Sequence, residues 1–401
     1  MHPYNTMKRI WFIITLVFFT TALSAQKAAV NEFGVIDKKA LQLPDSLSVT
    51  TEGISNYITA NFKTDKEKSR AIFIWLSTNI QYDIDNMFAL NFYESTKDKI
   101  EKALKNKKGI CENYAALFND ICLKSGIKSF VIEGYTKQNG FTDYIPHAWC
   151  AALIDSAWYL FDPTWGSGYV SNKKFYKQVN NAYYKANPAT LIKSHMPFDP
   201  LWQFLNYPIT NQEFYDGNIA QNKQKPFFNF IDSIHVFEKQ ERVAQLESAA
   251  ARIEKNGLKN SLLFDRLQHI KLEIENIRQN KVVDLYNGAA ADFNEGINAF
   301  NTYSQYWNKQ FTPVKPDAEI QQMLDTVAAK FKTAKEKLSQ IINPRTDISA
   351  VMVQLNKSID DAVRQLKEQQ EWLTNYFSKS KSKRKSMFYE KKITLFGKPL
   401  N

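Results

Sequence analysis

A thiol, an imidazole and a carboxylate occur in that chain order, each where one element gives way to another. The segments are Lys-Lys-Gly-Ile-Cys-Glu-Asn-Tyr-Ala at 107–115, His-Ala-Trp at 147–149 and Phe-Asp-Pro-Thr-Trp-Gly-Ser-Gly at 161–168. Behind Cys111, the residues Tyr114, Leu117, Phe118 and Ile121 repeat with helical spacing, and Gly126 is placed to end the helix. A thiol in the first turn of such a helix meets the positive end of the macrodipole and unpaired backbone N–H groups, which favour thiolate. Lys107 and Lys108 add positive charge close by. Gly109 leaves room for a substrate to approach the backbone, and the N–H of Cys111 can face a developing oxyanion.

The other two groups fall on strands. Residues 128–135, 147–154 and 157–162 are rich in β-branched and aromatic side chains. Asp155-Ser156 fits a two-residue turn, which would pair Ile154 with Ala157. His147 then faces Thr164 and lies diagonal to Asp162 on one sheet face, at roughly 7–8 Å between backbones. That is within reach of an imidazole and a carboxylate. Asp162 would fix the tautomer of His147 and leave its other nitrogen for Cys111. Singly, each residue has an ordinary explanation: a small buried thiol, a half-exposed strand residue, an Asp-Pro that ends a strand. The predicted cross-strand contact is what favours a site.

The runs Gly-Ile-Cys-Glu-Asn-Tyr-Ala-Ala-Leu-Phe, Gly-Ile-Lys-Ser-Phe-Val-Ile-Glu-Gly-Tyr, His-Ala-Trp and Trp-Tyr-Leu-Phe-Asp-Pro-Thr-Trp-Gly-Ser-Gly together resemble the transglutaminase-like superfamily. The similarity is to its microbial and kyphoscoliosis-peptidase-like branch. Residues 70–83 resemble the helix that precedes that core, and the whole resemblance spans about 55–175. It implies a papain-related α+β fold, in which the helix bearing the Cys packs on an antiparallel sheet. It also implies Cys111 as nucleophile, His147 as general base and Asp162 as third member. Cys150 departs from the family pattern, which more often has Asn near that position. Gln81 and Tyr82 are candidates for the side chain that helps bind an oxyanion.

The N-terminus has the form of a signal peptide. Lys8 and Arg9 precede an apolar run from Ile10 to Thr21, and Ala22-Leu23-Ser24-Ala25 supplies small residues for cleavage. The first residue is either Met1 or Met7. The apolar run is shorter than the roughly 20 residues that span a bilayer. The expectation is export to the periplasm or the extracellular space. Only three cysteines, Cys111, Cys122 and Cys150, follow, which is no disulfide scaffold. A Cys122–Cys150 bridge is the less favoured arrangement. His147 and Cys150 are three apart on a strand, hence on opposite faces, which argues against joint zinc ligation. His195, His235 and His269 read as isolated structural residues. No metal and no cofactor is expected.

With 401 residues the chain should hold more than one core. We expect a catalytic domain over 26–215, an α-helical bundle or coiled-coil domain over 216–378 and a basic tail over 379–401. One helix is expected over 56–79, and the aromatic span 170–215 should wrap the core. Further helices are expected at 238–255 and 261–281. Apolar stripes run at Tyr286, Ala290, Phe293, Ile297 and Phe300, then Trp307 and Phe311, from Ile320 to Ile341, and from Ile348 to Leu366. Such stripes form bundle cores and leave room for homo-oligomerisation. The tail has eight Lys/Arg against one Glu, so +7 of the net +11 lies there and +4 in the rest. A solvated run of that kind suits anionic surfaces. Nucleic acid is disfavoured by export and by the lack of any reading motif.

These features point to an exported thiol enzyme that cleaves or transfers an amide acyl group of a peptide or protein through a thioester. The alternative is a non-catalytic scaffold whose helical half recruits a partner. A metalloenzyme has little support, since no acidic cluster has calcium-loop spacing.

Overall fold

The computed structural model describes residues 32–87, 94–137 and 145–390, together with 394–395 and 398–399. Residues 1–25, read above as a signal peptide, lie outside them. Among the described residues no helix is long and apolar enough to cross a membrane. The chain divides into two compact units, one drawn from residues 1–132 and 148–187, the other from 133–147 and 188–401.

The first unit contains helices α1 (Gly34–Ala40), α2 (Thr51–Asn61), α3 (Asp65–Asn79), α4 (Thr96–Asn106) and α5 (Cys111–Lys124). Its strands are β1 (Gln81–Tyr82), β2 (Lys108–Gly109), β5 (Ala157–Phe161), β6 (Gly168–Ser171) and β7 (Lys174–Lys177), with parts of β3 (Ser129–Thr136) and β4 (Ile145–Ile154). Every residue of α3 from Ser69 to Ser77 is buried. A helix buried all round belongs at the centre of a core. Against it pack Ile54 and Ile58 of α2, Tyr114, Leu117, Phe118 and Ile121 of α5, and Cys150, Ile154 and Phe161 of the hairpin. The rings of Phe118 and Phe161 meet at 4.9 Å. The helix that starts at Cys111 is thus packed on the β4–β5 hairpin, as expected.

A single helix over 56–79 is not what forms. The chain breaks at 62–64 because Thr64 and Glu67 make a capping box. The Glu67 N–H donates to Thr64 Oγ1 at 3.2 Å, and Glu67 Oε2 accepts the N–H of Thr64 at 3.0 Å and of Lys63 at 2.9 Å. Thr64 is extended, with φ −91° and ψ 155°, so the two helices can turn relative to each other and both bury apolar faces.

The β4–β5 register is the one the spacing predicts. Ile154 pairs with Ala157 and Cys150 with Phe161. Asp155 and Ser156 both have positive φ, 50° and 65°, the backbone that matches a two-residue turn to strand twist. The four-stranded sheet has the order β5-β4-β3-β8.

The second unit adds α6 (Pro188–Leu191), β8 (His195–Pro197), α7 (Asn211–Asp216), α8 (Phe230–Lys239), α9 (Arg242–Asn256), α10 (Ser261–Asn308), α11 (Asp317–Ser339), α12 (Thr346–Ser378), α13 (Lys381–Arg384) and α14 (Met387–Glu390). One cluster joins Tyr135, Met196, Phe198 and Phe214 to Leu246 and Ile253 of α9 and to Leu263, Leu267 and Ile270 of α10. A second joins α10, α11 and α12. Lys337 reaches Gly288 and Asp292 while Lys330 reaches Asp292 and Glu295, so α10 and α11 run antiparallel.

The expected stripe on α11 is buried from Ile320 to Leu338. On α10, a single helix of 48 residues, Phe300 and Trp307 of the expected stripe are buried, Tyr286, Phe293 and Ile297 pack half-buried against the same core, and Ala289, Asp292, Gly296 and Tyr303 are buried as well. At Gly296 a Cβ would stand 2.6 Å from the Phe331 ring, so its absence lets α11 approach closely there. The basic run is less free than its composition suggests. Arg384 makes a bidentate ion pair with Asp317 at 2.7 and 2.8 Å and lies over the Tyr376 ring, and Met387 is buried. Lys379, Lys381, Lys383 and Lys385 remain exposed.

Two substitutions separate core packing from capping. Phe118→Ala should destabilise the first unit by about 3–5 kcal/mol, and Thr64→Ala by about 1 kcal/mol, both read from urea unfolding. Equal effects would contradict this account of the core.

Candidate active site

Cys111 is fixed by what holds the two ends of its helix. At the entrance, Ile110 is extended and its N–H donates to Asn113 Oδ1 at 2.9 Å, while Asn113 Nδ2 donates to Lys99 O at 3.0 Å. Gly109 makes room for this, since a Cβ there would lie 2.7 Å from Asn113 Cβ. That glycine therefore serves the helix start, not the open substrate approach expected from the sequence. At the exit, Ile127 N–H reaches Cys122 O at 2.8 Å and Gly126 N–H reaches Leu123 O at 3.1 Å. Gly126 has φ 82°, so this is a Schellman ending. Midway, the Tyr114 hydroxyl donates to Ile80 O at 2.7 Å.

The thiol is 3% exposed. The short parallel pair β1–β2 sets Tyr82 opposite Gly109, two residues before Cys111. Tyr82 is half-buried, and burial pushes its phenol well above the ordinary range, with the charges of Cys111 and Asp162 adding to the effect. Gln81 is exposed. Burial therefore keeps the Tyr82 hydroxyl protonated, as a donor. The lysines are committed elsewhere. Lys107 Nζ donates to Ser48 O and Oγ, at 2.9 and 3.0 Å, and Lys108 pairs with Asp83 and Asp85, at 2.8 and 3.0 Å.

Asp162 is fully buried. Its Oδ1 accepts the N–H of Thr164 at 2.9 Å and of Trp165 at 3.0 Å, and its own N–H donates to Tyr183 O at 3.0 Å. The 3₁₀ turn Asn181–Tyr183 that supplies this carbonyl is held in turn by Arg70, whose Nη1 donates to Asn181 Oδ1 at 2.7 Å. Arg70 is itself buried, paired with both oxygens of Asp37 at 2.7 Å. The carboxylate is therefore aimed by two backbone amides on one oxygen, and its main chain is tied to Tyr183.

His147 lies on β4 and is 7% exposed, so the His147 and Asp162 side chains are both buried. Polar atoms of His147, Asp162 and His195 lie within 4.8 Å of one another. Among the described residues this is the group able to hold a metal ion, two imidazoles and a carboxylate being a usable ligand set. The sequence argument against zinc considered His147 with Cys150 and did not consider His195. Cys111 is not one of the three. His195 was missed because strand pairing brings it in from far along the chain. The remaining cysteines are free and buried. Cys150 donates to Ala115 O at 3.3 Å, and no Cys122–Cys150 bridge forms. Burial raises both of these thiols well above the ordinary range.

The family model of the transglutaminase-like superfamily matches residues 52–163. Human kyphoscoliosis peptidase is 35% identical over 174 residues, covering 41% of this chain and 25% of that protein. Drosophila melanogaster Hillarin is 25% identical over 203 residues, covering 46% of this chain and 24% of that protein. The chain thus spans about a quarter of the length of these relatives. A solved structure of a putative cysteine protease from Cytophaga hutchinsonii aligns over 28% of this chain and 36% of its own, at 21% identity and a TM-score of 0.23. Residues 52–163 of this chain form a domain of the transglutaminase-like superfamily, with its papain-related fold.

Proposed function

We propose that this domain is a thiol-dependent acyl-transfer enzyme acting on an amide of a peptide or protein, with water as the usual acceptor. Cys111 sulfur attacks the carbonyl carbon. His147 carries the proton from the thiol to the departing amine, the C–N bond breaks, and a thioester remains on Cys111. Water, deprotonated by His147, then releases the acid and regenerates the thiol. Asp162, held by two turn amides, keeps the imidazole in line. The Cys111 N–H and the Tyr82 hydroxyl donate to the oxyanion.

The observation that carries this reading is the buried His147–Asp162 pair, with the thiol at the entrance of a helix anchored at both ends. The human relative is named a peptidase, which favours hydrolysis over cross-linking. On the same reading the protein works outside the cytoplasm after losing residues 1–25. The exposed lysines of 379–385 then meet anionic surfaces, and the helical half can self-associate.

p-Nitrophenyl acetate tests the site without knowledge of the natural substrate. The wild type should release a burst of one nitrophenol per chain, and Cys111→Ala none. Asp162→Asn keeps the turn acceptor but loses the charge, so it should slow the burst by about 10²- to 10⁴-fold and leave thermal unfolding nearly unchanged. A burst that survives in Cys111→Ala would overturn the proposal.

The raised phenol of Tyr82 gives a pH prediction. A hydroxyl whose pKa lies above the usual value of about 10 stays protonated, and so remains a donor, throughout the range in which the enzyme is folded. Tyr82→Phe should therefore slow acylation by about 10²-fold. The ratio to wild type should stay flat from about pH 6 to about pH 10. A ratio that collapses towards unity above about pH 9 would show an ordinary phenol instead.

A further inference from the structure

The mechanism above uses one imidazole, yet the second unit buries two of them face to edge. His195 is 1% exposed and opens β8, paired antiparallel with β3 so that it stands opposite Thr136. Its neighbours pin the backbone: Lys137 N–H donates to Ser194 O at 2.9 Å, Phe198 N–H donates to Glu133 O at 3.0 Å, and Met196 is completely buried. The Nδ1 of His195 is 2.8 Å from Ser194 Oγ, which leaves Nε2 as the atom it can present elsewhere. The ring centre lies 5.5 Å from that of His147, at an interplanar angle of 63°.

A buried imidazole with no task is a poor choice for a core, because both nitrogens must be satisfied or it destabilises the fold. A leucine would fill the same space. Here the edge of one imidazole rests against the other, on a strand that cannot shift without breaking its pairing with β3. The arrangement restricts rotation of the His147 ring about its own side-chain torsions.

We propose that His195 is a positioning residue for His147, anchored through Ser194 and holding the plane of the base during proton transfer. This rests on the reading of His147 as base, and the test separates the two. The probe is p-nitrophenyl acetate with the full chain. His195→Leu should lower the maximal acylation rate by about 10- to 100-fold, with a much smaller change in the concentration giving half that rate. His195→Gln, whose amide nitrogen falls near the place of Nε2, should recover most of the rate. Ser194→Ala, which frees Nδ1 without touching the core, should slow acylation in the same direction and serves where His195→Leu folds poorly. A purely structural residue would not show rescue by Gln. If all three variants acylate as fast as wild type, or if Gln is as slow as Leu, the inference falls while the thiol mechanism stands. If the wild-type burst itself does not depend on Cys111, the underlying reading falls and takes the inference with it.

Discussion

The seam between the helix Cys111–Lys124 and the hairpin Ile145–Phe161 is the contact on which the rest of the first unit depends. Phe118 meets Phe161, and Cys150 donates to the carbonyl of Ala115. Both faces of that seam are sealed from water. Fully burying a side chain such as Phe118 or Leu117 contributes about 1.5–3 kcal/mol, and it does so only in one register. A one-residue slip of β4 would turn its buried side chains to the opposite face. The seam therefore sets where the helix begins relative to the strand, and with it where the thiol stands.

Polar groups then refine what packing fixes coarsely. Asn113 closes the helix entrance, the Schellman ending closes its exit, and the amides of Thr164 and Trp165 hold one oxygen of Asp162. Each bond is modest alone, about 0.5–1.5 kcal/mol net. Their value is directional: the Asp162 carboxylate is aimed by backbone amides, which cannot drift as side chains can. The three thiols divide by the same logic. Cys122 and Cys150 are buried where desolvation holds them protonated. Cys111 sits at the end of a helix beside Tyr82.

What could be read from the sequence was local. The Asp155-Ser156 turn and its register followed from turn chemistry, and the Cys111 helix from its apolar spacing and Gly126. The stripe on α11 followed likewise. The break at Thr64 was also written locally, in Thr64 and Glu67, but the continuous helical pattern outweighed it. The direction of Lys107 and Lys108 was not legible, because proximity in sequence says nothing about which carboxylate or carbonyl a long side chain will find. The close approach at Gly296 on α10 was not legible, because the residue's effect exists only once Phe331 arrives from α11. His195 was hidden for the same reason. Its partner Thr136 lies far away in the chain, and only the β3–β8 pairing makes them neighbours.

The central claim is that Asp162 contributes to chemistry only through His147. A double-mutant cycle on acylation rate, combining His147→Ala with Asp162→Asn, measures this directly. If the two act as one unit, the double variant should be no slower than His147→Ala alone, within about twofold. If the two losses multiply, Asp162 acts independently of the imidazole and the relay described here is wrong.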